Sequence, residues 1–346
     1  MQMRPLGKTG IEVSLIGLGT MTYGEQNTEA EGHAQMDRAL DAGVNLFDTA
    51  ELYAVPPKAE TQGRTEEIIG TWFAARKNRD KVFLATKAVG RSGMTWFRDD
   101  ASPTRIDRAN LREALEKSLK RLRTDVIDLY QLHWPDRPRQ DAGPPGWMKP
   151  AEDVVPVAEQ LSILDDFVKE GKIRFIGLSN ETAWGVAQFL KAASLGHGPE
   201  VVSVQNAYNL VNRAYESGLA EFARYDQVGL LAYSPLAQGY LSGKYEGGAL
   251  PAGSRKALFD RLQRYEGQNA PEAIGAYLAL AKKYDLDPSQ LAIRFCMDQP
   301  FMTSVLIGAT TQDQLEVNLG AAEISLPDAL HDEINAVQAR YRDPCP

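Results

Sequence analysis

Val82-Phe83-Leu84-Ala85-Thr86-Lys87, then Leu111, Leu115, Leu119 and Leu122, then Val126-Ile127-Asp128-Leu129-Tyr130-Gln131-Leu132 decide how this chain folds. The outer two segments are short apolar runs of strand length. The middle one has apolar residues three and four apart, the period of an amphipathic helix. Strand, helix and strand in that order make a βαβ unit, whose two strands run parallel.

The same alternation continues in both directions along the chain. Further apolar runs lie at 15–18, 45–48, 173–179, 201–205, 229–234 and 304–307, which brings the expected strands to eight. Helical spacing recurs between them, as at Met36, Leu40 and Val44 and at Ile163, Phe167 and Val168. Gly43 and Gly171 stand where a left-handed C-terminal cap is expected before the next strand. Eight strands, each followed by a helix, predict an α/β fold closed as a (β/α)8 barrel rather than an open doubly wound sheet. Ahead of the barrel, residues 4–6 and 11–13 flank Gly7-Lys8-Thr9-Gly10 and read as a β-hairpin. Residues 1–346 are expected to form a single barrel domain. Three long connections, 51–65, 134–156 and 237–264, each follow a strand's C-terminal end. Pro135, Pro138, Pro144, Pro145 and Pro150 make the second irregular. In a barrel that face binds substrate, so these loops are its expected walls. Trp96, Trp134 and Trp147 lie in or near the loops after strands three and four. They either form an aromatic wall for small aldehydes or aryl ketones or simply pack those loops.

Composition narrows the partners. The 346 residues carry 38 basic and 46 acidic side chains, a formal charge of −8. Nucleic-acid binding needs a concentrated basic face, so that class is disfavoured. Two cysteines, Cys296 and Cys345, do not make a disulfide scaffold and suit a reducing compartment. The opening Met1-Gln2-Met3-Arg4-Pro5 has no apolar signal region, and no run reaches membrane-spanning length. A soluble cytoplasmic protein with no membrane partner is expected. His33, His133, His197 and His331 are scattered without ligand-spaced neighbours, so no metal site is expected. No heptad or exposed apolar stripe marks an oligomer interface, and the oligomeric state stays open.

The chemistry gathers at the strand ends. The second expected strand ends on Asp48, with Tyr53 five residues on; the third ends on Lys87 and the fourth near His133. Singly, each has a plain structural alternative: a turn cap, a wall tyrosine, a snorkelling lysine, a satisfied histidine. Together they suit carbonyl reduction. Hydride addition leaves charge on oxygen, which needs a proton at neutral pH. A phenol with pKa about 10 is poorly matched to that task, and a lysine cation held by an aspartate would lower it. A neutral imidazole can orient the carbonyl by a hydrogen bond.

Asn45-Leu46-Phe47-Asp48-Thr49-Ala50-Glu51-Leu52-Tyr53 resembles the signature of the aldo-keto reductase family, in which the aspartate and tyrosine belong to a catalytic tetrad. Lys87 in Ala85-Thr86-Lys87 and His133 in Leu129-Tyr130-Gln131-Leu132-His133 match the other two members. The likeness runs from Gly17-Leu18-Gly19-Thr20-Met21 through Gly177-Leu178-Ser179-Asn180, Gln205-Asn206 and Tyr233-Ser234-Pro235-Leu236 to Gly308-Ala309-Thr310. It is greatest to the bacterial Tas-type branch, which is related to the potassium-channel β subunits.

The resemblance implies NADPH lying across the barrel mouth and a small aldehyde or ketone as substrate. A Rossmann reading of Gly17-Leu18-Gly19 fails because Thr22 stands in the place of the third glycine. On the family pattern Gly19, Thr20, Met21 and Asp48 border the cofactor. Ser179, Asn180 and Gln205 carry groups able to bond a nicotinamide carboxamide, and Tyr233 offers a face for stacking. Ser234, Pro235, Leu236, Gln238, Gly239, Leu241 and Lys244 form a loop suited to a pyrophosphate, with Lys244 and Arg255 as cations. Gly308, Ala309 and Thr310 lead into a helix whose N-terminus favours an anion, and Gln314 and Asn318 match adenosine-contacting positions. Many relatives carry an arginine for the 2′-phosphate where Gln314 stands; the channel β-subunit branch carries glutamine.

Two other functions compete. A Schiff-base aldolase would use Lys87, but Asp48 would keep that amine charged and leave Ser179, Asn180, Gln205 and Tyr233 unused. A regulatory or sensor subunit that binds NADPH with low turnover is the second alternative.

Overall fold

A computed structural model of the chain describes residues 1–139, 151–260 and 263–346. It begins with the antiparallel hairpin β1 (Met3–Pro5) and β2 (Glu12–Ser14), registered Met3 to Ser14. Gly7 and Gly10 turn it at φ values of 52° and 74°, where a side chain is strained. A Cβ on Gly7 would also meet the Val202 carbonyl at 3.1 Å.

Eight parallel strands follow: β3 (Ile16–Gly19), β4 (Leu46–Asp48), β5 (Phe83–Ala88), β6 (Ile127–Leu132), β7 (Ile173–Ser179), β8 (Ser203–Ala207), β9 (Gly229–Tyr233) and β10 (Met302–Ile307). They pair in chain order, and β10 pairs back onto β3, so the sheet is closed. This is the (β/α)8 barrel with an N-terminal hairpin that the sequence predicts, and each strand lies where expected to within about two residues.

The helices between strands are α1 (Glu29–Asp41), α2 (Arg64–Arg76), α3 (Arg108–Leu122), α4 (Val157–Lys169), α5 (Ala183–Ser194) and α6 (Leu219–Tyr225). After β9 the chain forms α7 (Arg255–Phe259), α8 (Ala270–Lys283) and α9 (Pro288–Met297), and after β10 come α10 (Gln312–Gly320) and α11 (Asp328–Arg340). Local chemistry explains their starts. Thr28 and Glu31 form a reciprocal capping box on α1, and Asp107, Thr182, Ser254, Asp287 and Thr311 cap α3, α5, α7, α9 and α10 through their side chains. Gly43 and Gly171 follow α1 and α4 in the left-handed region, as expected for terminators.

Two apolar layers hold the barrel. The larger lies between strands and helices and includes Met36, Phe47, Trp72, Leu115, Phe167 and Phe189. The smaller lies inside the barrel: Leu46, Phe83, Ala85, Leu129, Leu231 and Leu306, closed from below by Leu6 and Val13 of the hairpin. Side chains alternate along a strand, so the next inward positions after Leu46, Ala85 and Leu129 are Asp48, Lys87 and Gln131. The apolar plug therefore ends where the polar groups begin. Among the described residues no helix is long and apolar enough to cross a membrane.

Candidate active site

The strand alternation delivers Lys87 to a wholly enclosed position, with side-chain exposure of 0%. A buried ammonium survives only when paired and hydrogen-bonded. Its Nζ donates to Asp48 Oδ1 at 2.5 Å, to the Thr49 carbonyl at 2.8 Å and to Tyr53 Oη at 3.4 Å. The other carboxylate oxygen of Asp48 accepts from Gln131 Nε2 at 3.1 Å and Gln205 Nε2 at 2.8 Å. Asp48, at the end of β4, is thus pinned by side chains from three other strands, β5, β6 and β8, and is held facing Lys87.

Tyr53 sits in the turn after β4, whose backbone is tied to β5 by Thr49 N–H donating to Ala85 O and Glu51 N–H to Lys87 O. Lys87 Nζ also lies 4.9 Å from the Tyr53 ring centroid. The His133 ring meets Tyr53 edge-on at 5.8 Å and Trp134 at 5.0 Å. The sequence-predicted tetrad is therefore brought into one cluster.

Electrostatics differ in one respect from the expectation. Burial pulls the Lys87 ammonium down, but the Asp48 and Tyr53 oxygens outweigh it and hold its pKa above the ordinary value. Burial pushes the Tyr53 phenol up; Lys87 lowers it, as expected, while Asp48 raises it, and the net direction is up. The expected lowering by Lys87 is therefore present but outweighed by burial and Asp48, and the phenol is protonated at neutral pH. Burial, with the Lys87 charge behind it, keeps His133 well below the ordinary imidazole range and so neutral. Its Nδ1 is buried with no hydrogen-bond partner among the described residues.

Most of the residues expected to hold a cofactor lie on the other side of the mouth, while Gly19, Thr20 and Met21 adjoin Asp48. Ser179 Oγ donates to Gln205 O at 3.0 Å, and Asn180, at a φ of 50°, donates through Nδ2 to the His133 carbonyl at 2.9 Å. Tyr233 Oη donates to Asn180 Oδ1 at 2.7 Å. Gln205 commits its amide hydrogens to Asp48 and Gln131, so only its oxygen is left for a carboxamide. In the loop after β9, Ser234, Ala237, Gln238, Gly239 and Gly243 all have positive φ, and tight turns follow one another there, with Ala237 N–H donating to Ser234 O and Gly239 N–H to Leu236 O. Gln238 Oε1 there is buried and unpartnered among the described residues, and Leu241 is buried beneath. Pro235 and Leu236 lie between these turns; Lys244 Nζ stands 5.3 Å from the Tyr245 ring centroid, and Arg255 opens α7. Gly308 is exposed above Gly19, and Ala309 is buried. Thr20 donates to the Asp48 carbonyl at 2.8 Å, next to Met21. Gln314 folds back to accept from Thr310 N–H at 3.0 Å, and Asn318 donates to Gly308 O at 3.2 Å. A nicotinamide dinucleotide fits this set: neutral amides and hydroxyls, a curled loop with an orphaned acceptor, a helix N-terminus and loop cations.

Two participants went unrecognised in the sequence. Gln131 was legible as the inward strand position paired with Lys87, which places it beside the carboxylate. Arg264, whose Nη1 donates to Tyr233 Oη at 3.3 Å, has no local signal. Of the aromatic candidates, Trp134 packs partly buried beside Tyr53 against Ala50, Leu52, Val89 and Phe97, and Nε1 donates to Arg91 O at 2.9 Å. Its place is fixed by a close approach: a Cβ on Gly90 would stand 2.1 Å from the Trp134 carbonyl. Trp96 is 40% exposed and stacks on Phe97, while Trp147 and Pro144, Pro145 and Pro150 lie outside the described residues.

A model of the aldo/keto reductase family matches residues 15–339. With the closed barrel and the Asp48, Tyr53, Lys87 and His133 cluster, this establishes the class: the chain belongs to the aldo/keto reductase family. It is 47% identical to "Protein tas" of Escherichia coli (strain K12), over the whole of both chains. It is 30% identical to "Probable voltage-gated potassium channel subunit beta" of Oryza sativa subsp. japonica, over 97% of this chain and 96% of that one. It is also 30% identical to "NADH-specific methylglyoxal reductase" of Escherichia coli, over 95% and 96%. Membership of the family makes the protein an oxidoreductase of the kind that works with a nicotinamide cofactor.

Proposed function

We propose that the protein is an NADPH-dependent enzyme that reduces aldehydes or ketones to alcohols, with Tyr53 as general acid and the full chain, 1–346, acting as one barrel domain. The observation that supports this most is the enclosed Lys87 ammonium, 2.5 Å from Asp48 and 3.4 Å from the Tyr53 hydroxyl. When bound, NADPH supplies the hydride. Tyr53 gives its proton to the carbonyl oxygen as charge develops there. Lys87 stabilises the phenolate left behind, in a site where water does not weaken the attraction. Asp48, fastened by Gln131 and Gln205, keeps Lys87 charged and in place. His133, neutral because it is enclosed, donates a hydrogen bond that orients the carbonyl.

The cofactor's carboxamide is assigned to Ser179, Asn180 and the Gln205 oxygen, its ring to the Tyr233 face, and its phosphates to the 234–244 loop with Lys244 and Arg255. With Gln314 where many relatives carry an arginine, the 2′-phosphate is assigned to Lys244 and Arg255 as well, although a relative at 30% identity is named as NADH-specific. A cytoplasmic setting suits the two cysteines, both free and buried.

The test is NADPH oxidation with a panel of aldehydes by the purified protein and its Tyr53→Phe variant, with NADPH binding followed in parallel. The variant is expected to lose on the order of 10²–10⁴-fold in turnover with binding nearly unchanged. Wild-type turnover in Tyr53→Phe would overturn the assignment of the acid. The similarity to the rice channel subunit supports a second reading, a regulatory protein that holds NADPH and turns over little. Bound NADPH that survives every aldehyde and ketone would favour it.

A further inference from the structure

Beneath the Tyr53 turn lies an ion pair that takes no part in proton transfer. The side chains of Glu51 and Arg98 are each 1% exposed. Enclosing two full charges is costly, and a hydrophobic pair of like volume is often as good for stability alone. Their placement shows what else they do.

Glu51 lies between Asp48 and Tyr53 in the chain. Its N–H donates to Lys87 O at 3.1 Å, and its Oε1 accepts from Val89 N at 2.7 Å. One residue thus fastens the turn after β4 on both sides of Ala88, next to the buried lysine. Arg98 completes the clasp from the loop after β5. Nη1 donates to Glu51 Oε2 at 3.0 Å, Nη2 to Oε1 at 3.1 Å, and Nε to Asn110 Oδ1 in α3 at 2.9 Å. Nη1 also donates to Phe97 O at 3.2 Å. Phe97, pinned in this way, is buried with Ala50, Leu52 and Val89, and the rings of Tyr53 and Trp134 pack on that cluster.

We infer that Glu51 and Arg98 are positioning residues for the proposed reaction: their pair fixes the Tyr53 turn against Lys87 and fixes the aromatic side of the carbonyl pocket. The forked guanidinium suits this task because one side chain spans both carboxylate oxygens and a helix side chain together. The inference rests on Tyr53 being the acid, and its test separates the two.

Arg98→Met in the full-length protein, assayed with an aromatic aldehyde at a temperature where the variant is folded, is expected to lower kcat about 10- to 100-fold. The KM for NADPH should hardly change, because Ser179, Tyr233 and Lys244 stand on the opposite arc. A looser Tyr53 turn changes both the enclosure of the phenol and the pull of Lys87 on it. The alkaline limb of the reduction profile, where the acid loses its proton, should therefore shift from its wild-type position. Arg98→Lys should recover part of the loss. A folded Arg98→Met with wild-type kcat, aldehyde KM and pH limb would overturn the inference. Should that variant not fold, Asn110→Ala removes one anchor of the guanidinium without stranding a charge. It is expected to lower kcat/KM for the aldehyde several-fold with KM for NADPH unchanged, and an unaltered value would likewise overturn the inference. If Tyr53→Phe is inactive while Arg98→Met is normal, the clasp alone fails. If Tyr53→Phe is active, the proposed acid fails first.

Discussion

Between β4 and β6 the barrel mouth is lined by formal charge sealed from water; between β7 and β10 its lining is mainly amides and hydroxyls, with Arg264 reaching Tyr233 from the segment after β9. On the first arc Asp48 and Lys87 are both buried, and the neighbouring Tyr53 and His133 are each displaced from their ordinary pKa in the direction that keeps them neutral. On the second, Ser179, Asn180, Gln205 and Tyr233 are joined by neutral hydrogen bonds, and Ser234, Ala237 and Gln238 hold left-handed conformations. The difference matches two kinds of work. Moving a proton needs charge whose strength water does not dilute. Holding a long molecule needs many weak directional contacts, none of which must change during the reaction.

The charged arc depends most on Lys87. Lys87→Met removes the cation and leaves Asp48 buried with only Gln131 and Gln205 as partners. Stranding one member of a buried pair costs about 3–5 kcal/mol, and removing charge stabilisation at a reacting centre costs on the order of 10²–10³ in kcat. The variant should therefore melt earlier and lose turnover together, yet retain NADPH binding. A variant that reduces aldehydes at wild-type rates would mean that the sealed charge serves folding alone.

Lys244→Ala probes the second arc and should behave in the opposite way. A loop cation that meets a phosphate contributes about tenfold in affinity, since about 1.4 kcal/mol is tenfold. KM for NADPH should rise by that order and KM for NADH by less, with kcat unaltered at saturation. A fall in kcat with KM unchanged would show that this arc takes part in the chemical step, and the division of labour would be lost.

How much of this was legible in the sequence follows from what each feature depends on. The strands were, because segments such as Phe83–Ala88 and Ile127–Leu132 are buried on every residue and are rich enough in apolar residues to read as short strand-length runs. Asp48, Lys87 and His133 were, because the alternation that fills the barrel with Leu46, Ala85 and Leu129 also dictates what tops it. The path of residues 237–260 was not, beyond their forming a loop suited to a pyrophosphate. It depends on non-glycine residues at positive φ, such as Ala237 and Gln238, which no local preference signals. Arg98 was not either: it meets Glu51 across 47 residues of chain, and only the path of the loop after β5 brings it there. The direction of the Tyr53 shift needed the structure as well, since burial and the Lys87 charge oppose each other and only the degree of enclosure decides between them.

The smallest expected effect concerns how firmly the first arc excludes protons. His133 is held well below the ordinary imidazole pKa by burial and by Lys87, whereas in the unfolded chain it titrates near 6.5. As pH falls below about 6.5 the unfolded chain gains a proton that the folded one refuses, so this residue makes the fold less stable toward acid. The slope it adds is at most about 1.4 kcal/mol per pH unit. His133→Asn keeps a polar side chain but cannot titrate, so its stability should fall less steeply than wild type between pH 6.5 and 5. Denaturant-unfolding midpoints at those pH values measure this directly. Parallel slopes would mean that the imidazole takes up its proton within the folded barrel. His133 would then be a cation beside Lys87, and the first arc would be open to water after all.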